Sequence, residues 1–138
     1  MSTSLPSQLQ TALASEHAAV YLLAAFISRT SPGRLADALS ESYDFHRAAR
    51  DLLAERLAAL GDTAPPGAAP AYDLPALSTS TAVSRAALAL EQRAAAGYAD
   101  LVAGTTGADR TQAIAWLSAT AVRQLHFGAA PADLPGIS

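Results

Sequence analysis

Glu16, His46 and Glu91 stand in the middle of apolar helical stripes, at positions where leucine is the expected residue. A carboxylate or imidazole carried into an apolar interior needs a partner. Three of them on three segments therefore point to one shared polar site. Two carboxylates and an imidazole can close a hydrogen-bonded ion cluster, or they can offer oxygen and nitrogen donors to a metal ion. Tyr43 and Arg50 border the inner stripe of the second segment and could complete the cluster, although snorkelling at a bundle edge suits them equally. Arg123, if it turns inward, adds a permanent charge that can hold a glutamate through a bidentate bond. His17 follows Glu16 by one position and points about 100° away around a helix, so it reads as a flanking or surface histidine. Tyr21, Tyr98 and Trp116 read as core or interface aromatics. Glu41, Asp44, Asp51 and Glu55, with Arg47 and Arg56 nearby, read as a solvated face. There is no glycine-rich phosphate loop and no serine in a nucleophile-elbow setting.

These residues are positioned by four predicted helices, about 5–28, 32–60, 80–103 and 107–127. The first carries the stripe Leu9, Leu13, Glu16, Val20, Leu23, Ile27 at a strict 4-3-4-3-4 spacing. The second opens on Ser31-Pro32, closes at Gly61, and aligns His46 with Leu35, Leu39, Ser42, Ala49, Leu53, Leu57 and Leu60. The third starts in the Ser78–Thr81 cluster and carries Val83, Ala87, Leu90, Ala94, Tyr98 and Leu101 inward, with Glu91 beside them. The fourth has its apolar centre at Ile114, Leu117, Ala121 and Leu125. Trp116, Val122 and Phe127 extend its hydrophobicity nearly all round and leave Gln112, Ala119, Arg123 and His126 as the least apolar stripe.

Composition narrows the function classes. At 138 residues the chain is one ordinary domain, able to bury a core without a metal or disulfide staple. Cysteine is absent, which excludes thiolate metal sites, cysteine nucleophiles and disulfides and fits a reducing compartment, so the cytoplasm is expected. A net charge of −3, with every basic residue an arginine and none clustered, gives no basic patch for nucleic acid. The N-terminus has no basic region, and Glu16 and His17 interrupt the apolar stretch that follows, so neither a signal peptide nor a membrane span is expected.

Short links around Thr30 and at Gly104–Gly107 should make helices one and two, and helices three and four, antiparallel pairs. The intervening proline- and alanine-rich segment, 62–77, can span about 50 Å if polyproline-like, enough to cross the whole bundle. The expected fold is an all-α four-helix bundle of two antiparallel hairpins joined by a long crossover, the connectivity of ferritin-like bundles. A short up-and-down bundle is the alternative. The tail, 128–138, should be coil.

The chain also resembles the ferritin-like family. Its di-metal members carry one Glu on each of two helices and a Glu-x-x-His on each of the other two. Glu16 and Glu91 match the lone glutamates, and His46 and His126 match the histidines in helix order. Tyr43 and Arg123 stand where the motif glutamates would be, three residues before each histidine. Glu16-His17-Ala18-Ala19-Val20-Tyr21, His46-Arg47 and Pro70-Ala71-Tyr72-Asp73-Leu74-Pro75 carry a closer resemblance, over about residues 5–128, to an uncharacterised actinobacterial branch of ferritin-like domains of unknown function. The resemblance implies a degenerate di-iron site.

Two divalent ions would bring four positive charges to a site with two carboxylates, leaving most of that charge uncompensated in a low dielectric, so a dinuclear centre is not expected. The favoured expectation is a metal-free polar cluster in a non-catalytic association or structural domain, with an apolar helix face available for a homodimer. The alternative is a mononuclear iron or manganese site built from Glu16, His46, Glu91 and His126, in an oxidoreductase or metal carrier. No substrate or small-molecule ligand is legible.

Overall fold

The computed structural model describes residues 4–62 and 65–130. Four α-helices make up the fold, α1 (Leu5–Ser28), α2 (Arg34–Ala59), α3 (Ser80–Gly104) and α4 (Gly107–His126), and there is no strand among the described residues. Two of the four starts, those of α1 and α3, are capped by side chains. Ser4 Oγ accepts from the Ser7 N–H at 3.3 Å ahead of α1, and Thr79 Oγ1 accepts from the Ala82 N–H at 3.0 Å ahead of α3. Helix α2 begins later than the Ser31-Pro32 signal suggests, because Pro32 and Gly33 form a turn and Gly33 becomes the cap. Its end is a Schellman motif: Gly61, at φ 84, donates to Ala58 O at 3.0 Å and Asp62 donates to Leu57 O at 3.0 Å. Of the tail, 131–138 lies outside the described residues.

Two apolar clusters fill the interior. The first joins the N-terminal half of α1 (Leu9, Leu13) to the C-terminal halves of α2 (Leu53, Leu57) and α3 (Tyr98, Leu101) and to the N-terminal half of α4 (Ala113, Trp116). The second joins Leu23 and Phe26 of α1 to Leu39 of α2, to Val83 and Ala87 of α3, and to Leu77 and Phe127. Between them along the helices stand the buried polar residues Glu16, Ser42, His46, Glu91 and Thr120. The interior is thus a polar layer held between two apolar ones, each of which excludes water from it.

The segment between α2 and α3 is anchored along α1. Gln10 Nε2 donates to Asp62 Oδ2 at 2.7 Å, His17 Nε2 donates to Pro66 O at 3.1 Å, the Tyr72 ring lies 5.2 Å from Tyr21, and Leu77 enters the second cluster. His17 is therefore half-buried and ties down this segment rather than standing free on the surface.

The inner faces depart from the expected stripes in an informative way. After Glu16, α1 buries Ala19 and Phe26 in place of Val20 and Ile27, and α3 buries Ala95 in place of Ala94. The shift is a single position in each case, back by one in α1 and forward by one in α3, and it leaves Glu16, His46 and Glu91 on the buried faces. In α4 the whole face differs. Ala113, Trp116 and Thr120 point inward, while Ile114, Val122 and Leu125 are 48%, 54% and 42% exposed. Seating Trp116 removes more apolar surface from water than seating Ile114, and the helix rotates to achieve it. Helix α1 is also long and apolar enough to cross a membrane by length and composition; here one face of it packs on α2 and α3.

Candidate functional site

His46 projects from the middle of α2 into the polar layer and is fully buried, as is Glu91 of α3, and Glu16 of α1 is nearly so. The imidazole sits between the two carboxylates. His46 Nδ1 donates to Glu16 Oε2 at 2.7 Å, and Nε2 donates to Glu91 at 2.9 Å to Oε1 and 3.1 Å to Oε2. Tyr98, two turns beyond Glu91 on α3, donates its hydroxyl to the other oxygen of Glu16. One side chain from each of α1 and α2 and two from α3 thus form a continuous network in which both ring nitrogens of His46 are used.

Burial alone would lower the pKa of His46. The hydrogen bonds to Glu16 and Glu91, reinforced by their charges, override burial and raise it from 6.5 to about 9. His46 is accordingly an imidazolium at neutral pH, donating from both nitrogens. For Tyr98 the same surroundings act the other way on charge: burial first, then the Glu16 carboxylate, hold the phenol well above its ordinary range, so it remains a donor.

The remaining sequence candidates lie elsewhere. Arg123 does not reach either glutamate. Its guanidinium stacks 4.3 Å over the Phe45 ring, and it forms no ion pair among the described residues, with Nε buried and lacking a hydrogen-bond partner there. The rotation of α4 that seats Trp116 also carries Arg123 toward Phe45 on α2. Tyr43 packs against the second apolar cluster with Arg47 5.5 Å over its ring. Arg50 pairs with its exposed neighbour Asp51 at 3.0 Å. His126 is exposed at the last turn of α4, outside the network.

Of the other residues in the polar layer, Tyr98 and Ser42 were expected on inner faces but not as members of the cluster, and Thr120 was not expected there. Tyr98 looks like a core aromatic, yet a buried phenol must find an acceptor, and that requirement was the available signal. Ser42 and Thr120 are fully buried, with hydroxyls that have no partner among the described residues. Ser42 precedes His46 by one helical turn on the same stripe, whereas nothing in the periodicity of α4 singles out Thr120.

This donor set does not fit a metal ion. A ligating imidazole must aim an unprotonated nitrogen at the ion, but both nitrogens of His46 are committed to carboxylates on opposite edges of the ring. Among the described residues no group of three or more His, Asp and Glu side chains converges in a way that could hold one.

No curated protein matches the chain. It is similar in structure to the crystal structure of a conserved hypothetical protein from Mycobacterium tuberculosis, at 32% identity and a TM-score of 0.79, over 87% of this chain and 91% of that one. The model of a domain of unknown function, DUF4439, matches residues 8–138, which span all four helices and the polar network, and the chain belongs to that family.

Proposed function

We propose that this chain is a non-catalytic ferritin-like bundle that acts by association, with an ion-paired histidine in place of a metal centre. The observation that carries this reading is the saturation of His46, both of whose ring nitrogens donate to buried carboxylates. The ferritin-like connectivity is supported by the sharing of cluster residues. The N-terminal half of α1 meets the C-terminal halves of α2 and α3 and the N-terminal half of α4. That sharing runs α1 against α2 and α3 against α4, leaves α2 and α3 parallel, and gives the connector along α1 the role of the long crossover. In this reading the network fixes the register of three helices, since a one-turn slip of any of them would strand a buried charge.

Elemental analysis of protein purified without chelator tests the metal-free part. Less than stoichiometric metal is expected, with a melting temperature unchanged by excess EDTA; a chelator-induced fall would instead establish a bound structural ion. The surface for association is the exposed stripe of α4, where Ile114, Val122 and Leu125 stand outward with no charged residue between Arg110 and Arg123. The partner proposed is a second copy with its α4 antiparallel. That arrangement sets the stripe on itself and brings Arg110 to the partially negative C-terminal end of the partner helix. Sedimentation equilibrium should find a dimer that Ile114→Glu reduces to monomer. A wild-type monomer at high micromolar concentration would rule this interface out.

A further inference from the structure

On the side of the bundle where α1 faces α3, the two helices leave an open groove of about 540 Å³. Small residues, Ala12 and Ala19 of α1 and Ala94 and Gly97 of α3, make part of its walls, with Leu22, Leu90 and Leu101 beside them. Gly97 lies well inside a helix, where glycine is less favourable than alanine, and a Cβ added there would meet nothing within 4 Å. Packing does not call for glycine at this position, and its effect is to keep the groove wide. At the floor the groove reaches Glu16, His46 and Tyr98, the buried network itself. A concave, mostly apolar site with a few convergent polar groups is the usual form of a small-molecule pocket.

The charge of the network behind the floor selects the ligand. It sets two carboxylates against one imidazolium and leaves one negative charge uncompensated; Glu16 and His46 line the groove, and Glu91 bonds the ring from outside that lining. Glu16 accepts a single bond on each oxygen, from His46 and from Tyr98, so lone pairs remain. The rim, with Arg93 and Asp100, carries both signs and favours neither. We propose that the α1–α3 groove binds a small organic cation, an alkyl- or arylammonium whose N–H groups donate to Glu16 while its hydrocarbon lies along the apolar walls. The proposal rests on the metal-free reading of the network, because a divalent ion would occupy the same oxygens.

Isothermal titration of the full chain in excess EDTA with hexylammonium, hexanol and hexanoate provides the test. Hexylammonium should bind about tenfold or more tightly than hexanol, the difference a charge-assisted hydrogen bond makes, and hexanoate should not bind. Gly97→Leu, which touches none of the network's hydrogen bonds, should weaken hexylammonium binding at least about tenfold while circular dichroism stays near wild type and the melting temperature does not fall. Glu16→Gln should abolish the preference for the amine over the alcohol; if it does not fold, Gly97→Leu decides. Equal binding of the three probes, no binding of hexylammonium, or undiminished binding by Gly97→Leu would overturn the site. A parallel titration with manganous ion in place of EDTA separates the two readings. Stoichiometric manganese uptake that blocks hexylammonium would reject the metal-free network but leave the groove, whereas failure of hexylammonium without manganese uptake rejects the groove alone.

Discussion

Replacing His46 by glutamine should destabilise the fold by about 4 kcal/mol, the largest effect expected of any single conservative change in this chain. Glutamine is close in size to histidine and can donate to one carboxylate, so little of the loss comes from a cavity. The loss comes from electrostatics. Glu16 and Glu91 are at most 2% exposed, and without the imidazolium at 2.7 and 2.9 Å they face each other across a dry interior. Adding Glu91→Gln to His46→Gln removes one of the stranded charges, so the double variant should be more stable than the sum of the single effects predicts, by about 2 kcal/mol. Asp51→Asn, on the exposed face of the same helix, is the control and should change stability by no more than about 0.5 kcal/mol. Urea unfolding at pH 7 of five proteins, wild type, His46→Gln, Glu91→Gln, the double variant and Asp51→Asn, measures all of this. Strict additivity between His46 and Glu91 would mean that the network is not an energetic unit.

What the sequence made legible, and what it did not, follows from how each signal is generated. Glu16, His46 and Glu91 stood out because each interrupts a long apolar stripe, and a stripe of five or six residues determines a buried face whatever the neighbours do. Whether Arg123 turns inward to a glutamate depended on the face of α4, where Ile114, Leu117, Trp116, Val122 and Phe127 surround the helix and periodicity has little contrast to report. Tertiary packing made that choice through Trp116, and it delivered Arg123 to the Phe45 ring. Tyr98 was legible as a core residue and not as a donor. Its partner, Glu16, lies 82 residues away in sequence, and only the assembled bundle brings the two together. The groove lay further still from view, because small residues such as Ala12, Ala94 and Gly97 are what an alanine-rich helix contains in any case; their meaning is the space they leave between two particular helices.

The stability of the protein should fall as pH rises from about 6.5 to about 9. His46 is the cause: its pKa is 6.5 as a free side chain and about 9 in the fold, so between these values the unfolded chain has released a proton that the native state still holds. Stability then decreases by about 1.4 kcal/mol per pH unit, a total of about 3 kcal/mol across the window. Below pH 6.5 the contribution is complete, and above about 9 it is gone. The groups facing the ring act in concert: Glu16 from α1 and Glu91 from α3 hold the proton, Tyr98 bonds to Glu16, and Arg123 of α4 stays stacked on Phe45 rather than joining them. Tyr98 adds a further decline above about pH 10, since its phenol remains protonated in the fold after an unfolded tyrosine has ionised. Urea midpoints for wild type and His46→Gln from pH 6 to 10 isolate the buried network, because the titrations outside it are common to both. Their difference should be greatest at pH 6 and shrink steadily toward pH 9. An imidazole NMR titration should place the His46 midpoint near the upper end of that window. A difference that stays constant with pH would mean that His46 binds its proton no more tightly in the fold than out of it, and the ion-paired network would have to be abandoned.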